Sequence, residues 1–331
     1  MQQLNRNHPL IESAQVFPEK VLMFGESAFL CALVCPALDE LNRKGLFGGS
    51  VTVAGKNIEH FKTQEGLFTI IEKGIENGGK SIKTNLIICV TDYINPYSDH
   101  DNYIKRGRNP ELRFIVSDAP DAEKIAALLY ERFAFFKGDE KKGLILFSCG
   151  RVENNGAELK ANVQKYADER GLGKEFKQWM ENVCFFANTT ADRIVTGFPR
   201  EDADRIQRKL GYHDELLTIC ELFYFWAIEA PITVKEELPL DKAGFNIIFN
   251  DDITPHHLRK TRLLNGALTC LAPAALLHGY KTVDEAMGNI NFKKYLEKAL
   301  FKEIIPTLDI NRNVLDGFAK TVIERLSNPL L

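Results

Sequence analysis

Short apolar runs alternate with longer amphipathic stretches through the first three quarters of the chain. Lys20–Phe24 (KVLMF) is apolar without alternation and stops at Gly25, which predicts a strand buried on both faces. Ala28–Leu41 follows with an apolar helical face, and Pro36 is expected to bend or interrupt that helix. Gly48-Gly49 breaks the chain before Ser50–Ala54 (SVTVA), a second strand. Leu67–Glu72, Thr84–Val90 (TNLIICV), Leu112–Ser117 (LRFIVS) and Gly143–Ser148 (GLILFS) read as further strands. Helices are predicted over about Asp121–Phe136 and Ala157–Arg170, and the segment FYFWAIEAP reads as the end of a core strand, with Trp226 inside and Glu229 near its exit. Beyond Thr254 the spacing turns helical over 258–280, 282–302 and 312–326.

Strands alternating with helices predict an α/β fold with a Rossmann-like, mostly parallel sheet. We expect that sheet within residues 15–250, with the Lys20–Phe24 strand near its centre. Residues 1–252 then form a dinucleotide-binding domain and 253–331 a helical, substrate-side domain packed against the sheet's carboxyl-end crevice. The turn-rich stretch 251–255 (DDITP) marks the boundary.

Composition narrows the classes. The chain has 331 residues, 45% apolar and 26% charged, as a globular protein does. A net charge of −3 argues against nucleic acid as a partner. The one basic run, Lys105-Arg106-Gly107-Arg108, reads as a solvated loop. No run of 18 apolar residues predicts a membrane span, and MQQLNRNHPL lacks a secretory core. Seven cysteines without C-x-x-C spacing suggest buried free thiols in a reducing, cytoplasmic compartment. No zinc motif is present, so no metal is expected. The expected partner is a small molecule, and the chain is expected to be a monomer.

Three clusters could carry chemistry. The turn Phe24-Gly25-Glu26-Ser27-Ala28-Phe29 joins a strand to a helix, where a dinucleotide's pyrophosphate can meet unpaired N–H groups. A full fingerprint has three glycines, and only Gly25 stands here, so an ordinary tight turn is the competing reading. In the second cluster, Asn188 to Val195, Asn188 reads as a cap and Asp192 with Arg193 as any surface pair. In the third, Lys260 and Leu264 share a helical face and Asn265 lies one step round. Lys260 is either an acid/base or a solvated lysine. His256-His257 after Asp251-Asp252 reads as a polar domain junction.

Taken in order, FGESAFL, TQEGLFT, ADRIVTGFPR, the GYHD segment, FYFWAIEAP, RKTRLLNGA and KEIIPTLDI resemble the mannitol dehydrogenase family of long-chain polyol and sugar-acid dehydrogenases, most closely its tagaturonate-reducing branch. The resemblance runs from about Leu4 to Pro329. It implies a metal-free, NAD-dependent oxidoreductase that interconverts a keto sugar acid and its hydroxy acid by hydride transfer. It further implies that Lys260 is the acid/base, that Asn265 and Asn188 bond the reacting oxygen, and that the turn from Phe24 to Phe29 holds the cofactor.

Several positions depart from that pattern. Leu268 stands where the family has a histidine, and Ser27 and Cys31 stand where its turn has a glycine and an arginine. Asp118-Ala119-Pro120 replaces a longer loop after the strand ending at Ser117. The chain stops at Asn328-Pro329-Leu330-Leu331, where the family continues into a helical region with substrate-binding lysine, arginine and histidine, so we expect a truncated C-terminal domain. The alternative function is a relative that keeps the fold with impaired or no catalysis.

Overall fold

A computed structural model describes residues 1–9, 11, 16–76 and 79–330; Gln15, at the expected start of the sheet, and Leu331 lie outside them. The largest sheet has eight strands: β1 (Glu19–Phe24), β2 (Ser50–Ala54), β3 (Val90–Ile94), β4 (Phe114–Ser117), β5 (Ile145–Ser148), β6 (Phe185–Asp192), β7 (Phe225–Glu229) and β8 (Ile247–Asn250). Their spatial order is β8-β7-β6-β5-β4-β1-β2-β3. The first six strands are parallel; β7 runs antiparallel to β6, and β8 parallel to β7. The run 3-2-1-4-5-6 is the doubly wound order, and its reversal between β1 and β4 opens a crevice at the strands' carboxyl ends.

Apolar residues without alternation have a visible consequence in β1. Val21 and Met23 join one core, with α1 (Ala28–Arg43). Leu22 and Phe24 join another, with α2 (Ala122–Phe135) and α3 (Asn155–Glu169). Successive side chains point to opposite faces, so a sheet covered on both faces needs both sets apolar.

Pro36 does not interrupt α1, which runs unbroken to Arg43. Proline removes the N–H that would have bonded Ala32 O. The guanidinium of Arg193 supplies a donor instead, with Nη1 2.6 Å from Ala32 O, and Tyr224 OH donates to Leu33 O at 2.5 Å. Arg193 and Asp192 are therefore not a surface pair; both are buried.

Other expectations are corrected in detail. Thr84–Val90 is not one strand: Gly79–Ile87 belongs to a separate four-stranded sheet, and β3 begins at Val90. The backbone switches sheets at Ile88, whose N–H is held by Asp39 Oδ2 at 2.8 Å. The run 282–302 is not one helix either. It divides at Asn289, which ends Val283–Gly288 and caps Ile290–Lys298. The basic run is no solvated loop: Arg106 pairs with Glu19 and Asp92, and Arg108 with Glu131. β6, β8 and the helix Lys174–Val183 were not foreseen.

The chain forms two compact units. One comprises Met1–Ile71, Thr84–Cys220 and Tyr224–Asp251; the other comprises Glu72–Lys83, Glu221–Phe223 and Asp252–Leu331. The second unit is helical beyond Asp252, and it contains a buried ion pair in which Arg325 grips both carboxylate oxygens of Glu221 at 2.9 and 2.7 Å. No helix among the described residues is long and apolar enough to cross a membrane.

Candidate active site

The first strand ends in a turn built for close approach. Gly25 has φ +133°, a conformation that side chains rarely adopt, and a Cβ there would meet Asp118 Oδ1 at 2.8 Å. Its N–H bonds Ala54 O at 2.9 Å, tying the end of β1 to β2. Ser27 caps α1, accepting from Leu30 N at 3.0 Å, while its hydroxyl donates to Asp118 Oδ2 in a short hydrogen bond. The cap serves the third helical N–H, so the earlier first-turn amides remain the positive end of the helix. Phe24 is buried, and Phe29 packs partly buried against the core.

Glu26 reaches sideways. Its Oε1 accepts from Asn57 N at 3.1 Å and from Asn57 Nδ2 at 3.0 Å. Beside Ala28 lies a cavity of about 130 Å³ lined by Glu26, Cys31, Phe61, Phe68, Phe198 and Glu215 among others. Cys31 contributes a small, buried side chain to its wall.

Asn188 sits in the middle of β6, opposite Ser148 of β5 and Glu229 of β7. It is indeed a cap, though for a helix distant in sequence. Its Oδ1 accepts from Gly156 N at 2.9 Å and Ala157 N at 3.1 Å, the opening amides of α3. Gly156 permits this approach: a Cβ there would stand 2.5 Å from Ala187 C and O. Two donors on one atom fix the amide's orientation, so Nδ2 must face the other way as a donor. It points toward Glu229 Oε1, 3.4 Å away. Asn155 locks the neighbouring residue, accepting from Thr189 N at 2.9 Å and donating to Thr189 O at 2.9 Å. Cys149 beside Thr189 is no nucleophile, since burial pushes its thiol up to about 12.

Lys260 and Asn265 belong to the helical unit. The helix that opens at Thr254–Arg259 continues through a π turn, Lys260–Asn265, into Gly266–Leu277. This corrects the 3.6-residue spacing expected here. A π turn closes i→i+5 hydrogen bonds and so widens the helix locally. Lys260 and Asn265 are its first and last residues, and Leu264 between them is buried. Lys260 is half-buried, Asn265 exposed and Leu268 half-buried. A second π turn, Ala299–Ile304, lies against this one; a Cβ on Gly266 would stand 3.6 Å from Ile304 Cδ1. One turn before Lys260, burial lowers the His256 imidazole below its ordinary value, and Arg259 pushes the same way.

Sequence reasoning singled out Glu229 only as an acid near a strand's exit and missed two groups here, Asp118 and the Asn155-Gly156 pair. Glu229 carried a signal, as an acid closing an apolar strand. The other two carried none, because their partners Ser27 and Asn188 are far away along the chain.

Two family models match the chain in succession. The mannitol dehydrogenase Rossmann domain matches residues 19–242, and the mannitol dehydrogenase C-terminal domain matches 252–331. Altronate oxidoreductases of Phocaeicola vulgatus and Bacteroides thetaiotaomicron are each 37% identical over 337 residues, covering 95% of this chain and 70% of theirs. Among solved structures, D-sorbitol dehydrogenase in substrate-free form aligns with a TM-score of 0.78 at 22% identity, over 94% of this chain and 70% of its own. Pseudomonas fluorescens mannitol 2-dehydrogenase, in a ternary complex with NAD and D-mannitol, aligns with a TM-score of 0.78 at 20% identity, over 94% and 69%.

Proposed function

We propose a function from a plain premise: this chain belongs to the mannitol dehydrogenase family. It is an oxidoreductase of the polyol and sugar-acid type. Within that class we infer that it interconverts tagaturonate and altronate with NAD(H); its relatives are named altronate oxidoreductases. Residues 1–252 serve the cofactor and 253–331 the substrate.

The Gly25 turn fits a dinucleotide. It offers the positive end of α1 at the sheet's switch point and a glycine where a Cβ would intrude. Phe24 to Phe29 would hold the pyrophosphate. A nicotinamide held there would supply hydride to the substrate's carbonyl carbon. Negative charge then develops on the carbonyl oxygen. The Lys260 ammonium gives that oxygen its proton in reduction and recovers it in oxidation, so the lysine ends each direction in the state the reverse requires. Asn265 and Asn188 donate N–H groups to the same oxygen and stabilise the charge. The observation that carries this reading is the fixed amide of Asn188. With Oδ1 held by two amides of α3, only the donor side is left to face a ligand.

Leu268 favours a second reading, a relative with impaired turnover. It stands one helical turn beyond Asn265 and can neither donate nor accept a hydrogen bond. The free thiols, six of seven buried, fit a reducing compartment, and cytoplasmic residence is part of the proposal.

The test is NADH-dependent tagaturonate reduction, followed at the nicotinamide absorbance. We expect Lys260→Ala to lower the rate by about 10²- to 10⁴-fold, and Leu268→His to raise it. Parent activity unaffected by Lys260→Ala would sink the mechanism. A gain in Leu268→His that Lys260→Ala abolishes would support the impaired reading.

A further inference from the structure

Which nicotinamide dinucleotide binds is decided where β2 ends. In doubly wound dinucleotide folds an acid there accepts a hydrogen bond from the adenosine ribose 2′-hydroxyl, and a cation accommodates a 2′-phosphate. In this chain β2 ends at Ala54, and Gly55-Lys56-Asn57 follow, with no acid among them.

The structure supplies the acid from elsewhere. A Cβ built on Gly55 would overlap Glu26 Oε2 and lie 2.6 Å from Glu26 Cδ. The carboxylate of Glu26 therefore occupies the space where a side chain at position 55 would begin. It is held by Asn57, whose N and Nδ2 both bond Oε1 at 3.1 and 3.0 Å. Oε2 has no hydrogen-bond partner among the described residues. Gly55 N bonds Ile94 O at 3.0 Å, so the backbone beneath the carboxylate is fixed by β3.

We propose, on the dinucleotide reading above, that Glu26 is the specificity-determining residue: its free oxygen receives the ribose 2′-hydroxyl, and its charge excludes a 2′-phosphate, so the chain takes NAD(H) over NADP(H). A 2′-phosphate brings close to two negative charges beside a carboxylate already fixed in place. The cation that could offset them, Lys56, is engaged with the face of Tyr97. Its Nζ lies 4.5 Å from the centre of the Tyr97 ring, and its backbone O accepts from Asn95 Nδ2 at 3.1 Å. Tyr97 is itself anchored, donating from OH to Asp121 Oδ2 at 3.1 Å. The acid that the fold needs at the second strand has been moved to the first turn, and the glycine at 55 makes room for it.

The experiment is a fluorescence titration of the full chain with NADH and with NADPH, for the parent, for Glu26→Gln, and for the double variant Glu26→Ala with Gly55→Asp. Circular dichroism checks that each is folded. The parent is expected to bind NADH at least about tenfold more tightly than NADPH. Glu26→Gln keeps the shape and removes the charge; its preference should shrink about tenfold, with NADPH binding gaining. The double variant returns a carboxylate to the vacated space from the other strand and should recover the preference. Binding of both dinucleotides with a ratio that Glu26→Gln leaves unchanged overturns the assignment and spares the cofactor reading. Tighter binding of NADPH by the parent overturns it in favour of Lys56. Binding of neither removes the dinucleotide reading and this assignment with it.

Discussion

Helices α1 and α3 both begin at the carboxyl end of the same sheet, and their first turns are used in opposite ways. α1 is capped from within: Ser27, its own N-cap, accepts from Leu30 N, the third amide of the helix. α3 is capped from outside. Its N-cap Asn154 sits at φ +55° and makes no side-chain cap bond, and the opening amides are taken by Asn188, 32 residues from Gly156. In the proposed function the first helix end serves a ligand. The second is consumed in orienting an amide. A helix N-terminus at a switch point is thus no guarantee of an anion site; what caps it decides whether it binds or positions.

The contrast predicts that Asn188 variants separate chemistry from folding. Asn188→Asp keeps an acceptor for Gly156 N and Ala157 N, and its charge suits a helix N-terminus. It removes the outward donor. We expect activity to fall about 10²- to 10³-fold, with little change in unfolding temperature once Glu229→Gln removes the carboxylate that Nδ2 faces at 3.4 Å. Asn188→Ala should lose activity similarly and cost roughly 0.5–2 kcal/mol of stability as well, as loss of a cap does. Urea unfolding beside the tagaturonate assay distinguishes them. Equal destabilisation in both variants would show that the amide's donor side matters structurally too.

The other end of α1 gives the next largest effect. Asp39 is buried there, and burial raises its pKa from 3.8 to about 6 despite the bond from Ile88 N. Its folded value exceeds its unfolded value, so the folded state holds the proton more tightly. The stability present below about pH 4 is therefore lost as pH rises through 6. Asp39→Asn keeps an acceptor for Ile88 N and cannot ionise. Relative to the parent it should gain roughly 2–3 kcal/mol between pH 4 and pH 7.5. Unfolding curves at the two pH values measure this; a difference that does not change with pH would rule it out.

The smallest effect concerns Ser27. Ser27→Gly removes a Cβ and hydroxyl from the cofactor turn, and glycine at an N-cap costs only a few tenths of a kcal/mol. NADH binding should tighten by a few fold as the backbone gains access. Weaker binding would mean that the Ser27 bond to Asp118 matters more than steric access, since that bond fixes the carboxylate beside Gly25.

Much of the framework was legible along the chain. Glu19–Phe24, Ser50–Ala54, Phe114–Ser117 and Ile145–Ser148 are apolar runs that an eye for strands finds. β6 was not found, because FFANTTAD carries polar residues where a core strand is expected to be apolar. Those residues are satisfied by neighbours: Thr189 Oγ1 donates to Ser148 O at 2.6 Å, and Asn188 caps α3. A strand whose polar groups are answered across the sheet has no one-dimensional signature.

The sequence by itself determined the two-faced sheet, the glycine at the first turn, the helical character beyond Thr254 and the family resemblance, because each rests on local spacing or on the order of motifs. Tertiary structure alone decided which polar groups meet. Arg193 answers the carbonyl that Pro36 leaves bare, and Glu26 fills the space above Gly55. The π turn at Lys260–Asn265 belongs here as well, since it departs from the regular spacing that a sequence displays. The physical reason is common to all three. Apolar burial is read from one residue at a time, whereas a hydrogen bond, an overlap or a change of helical pitch needs two groups placed together, and the chain brings those groups together only by folding.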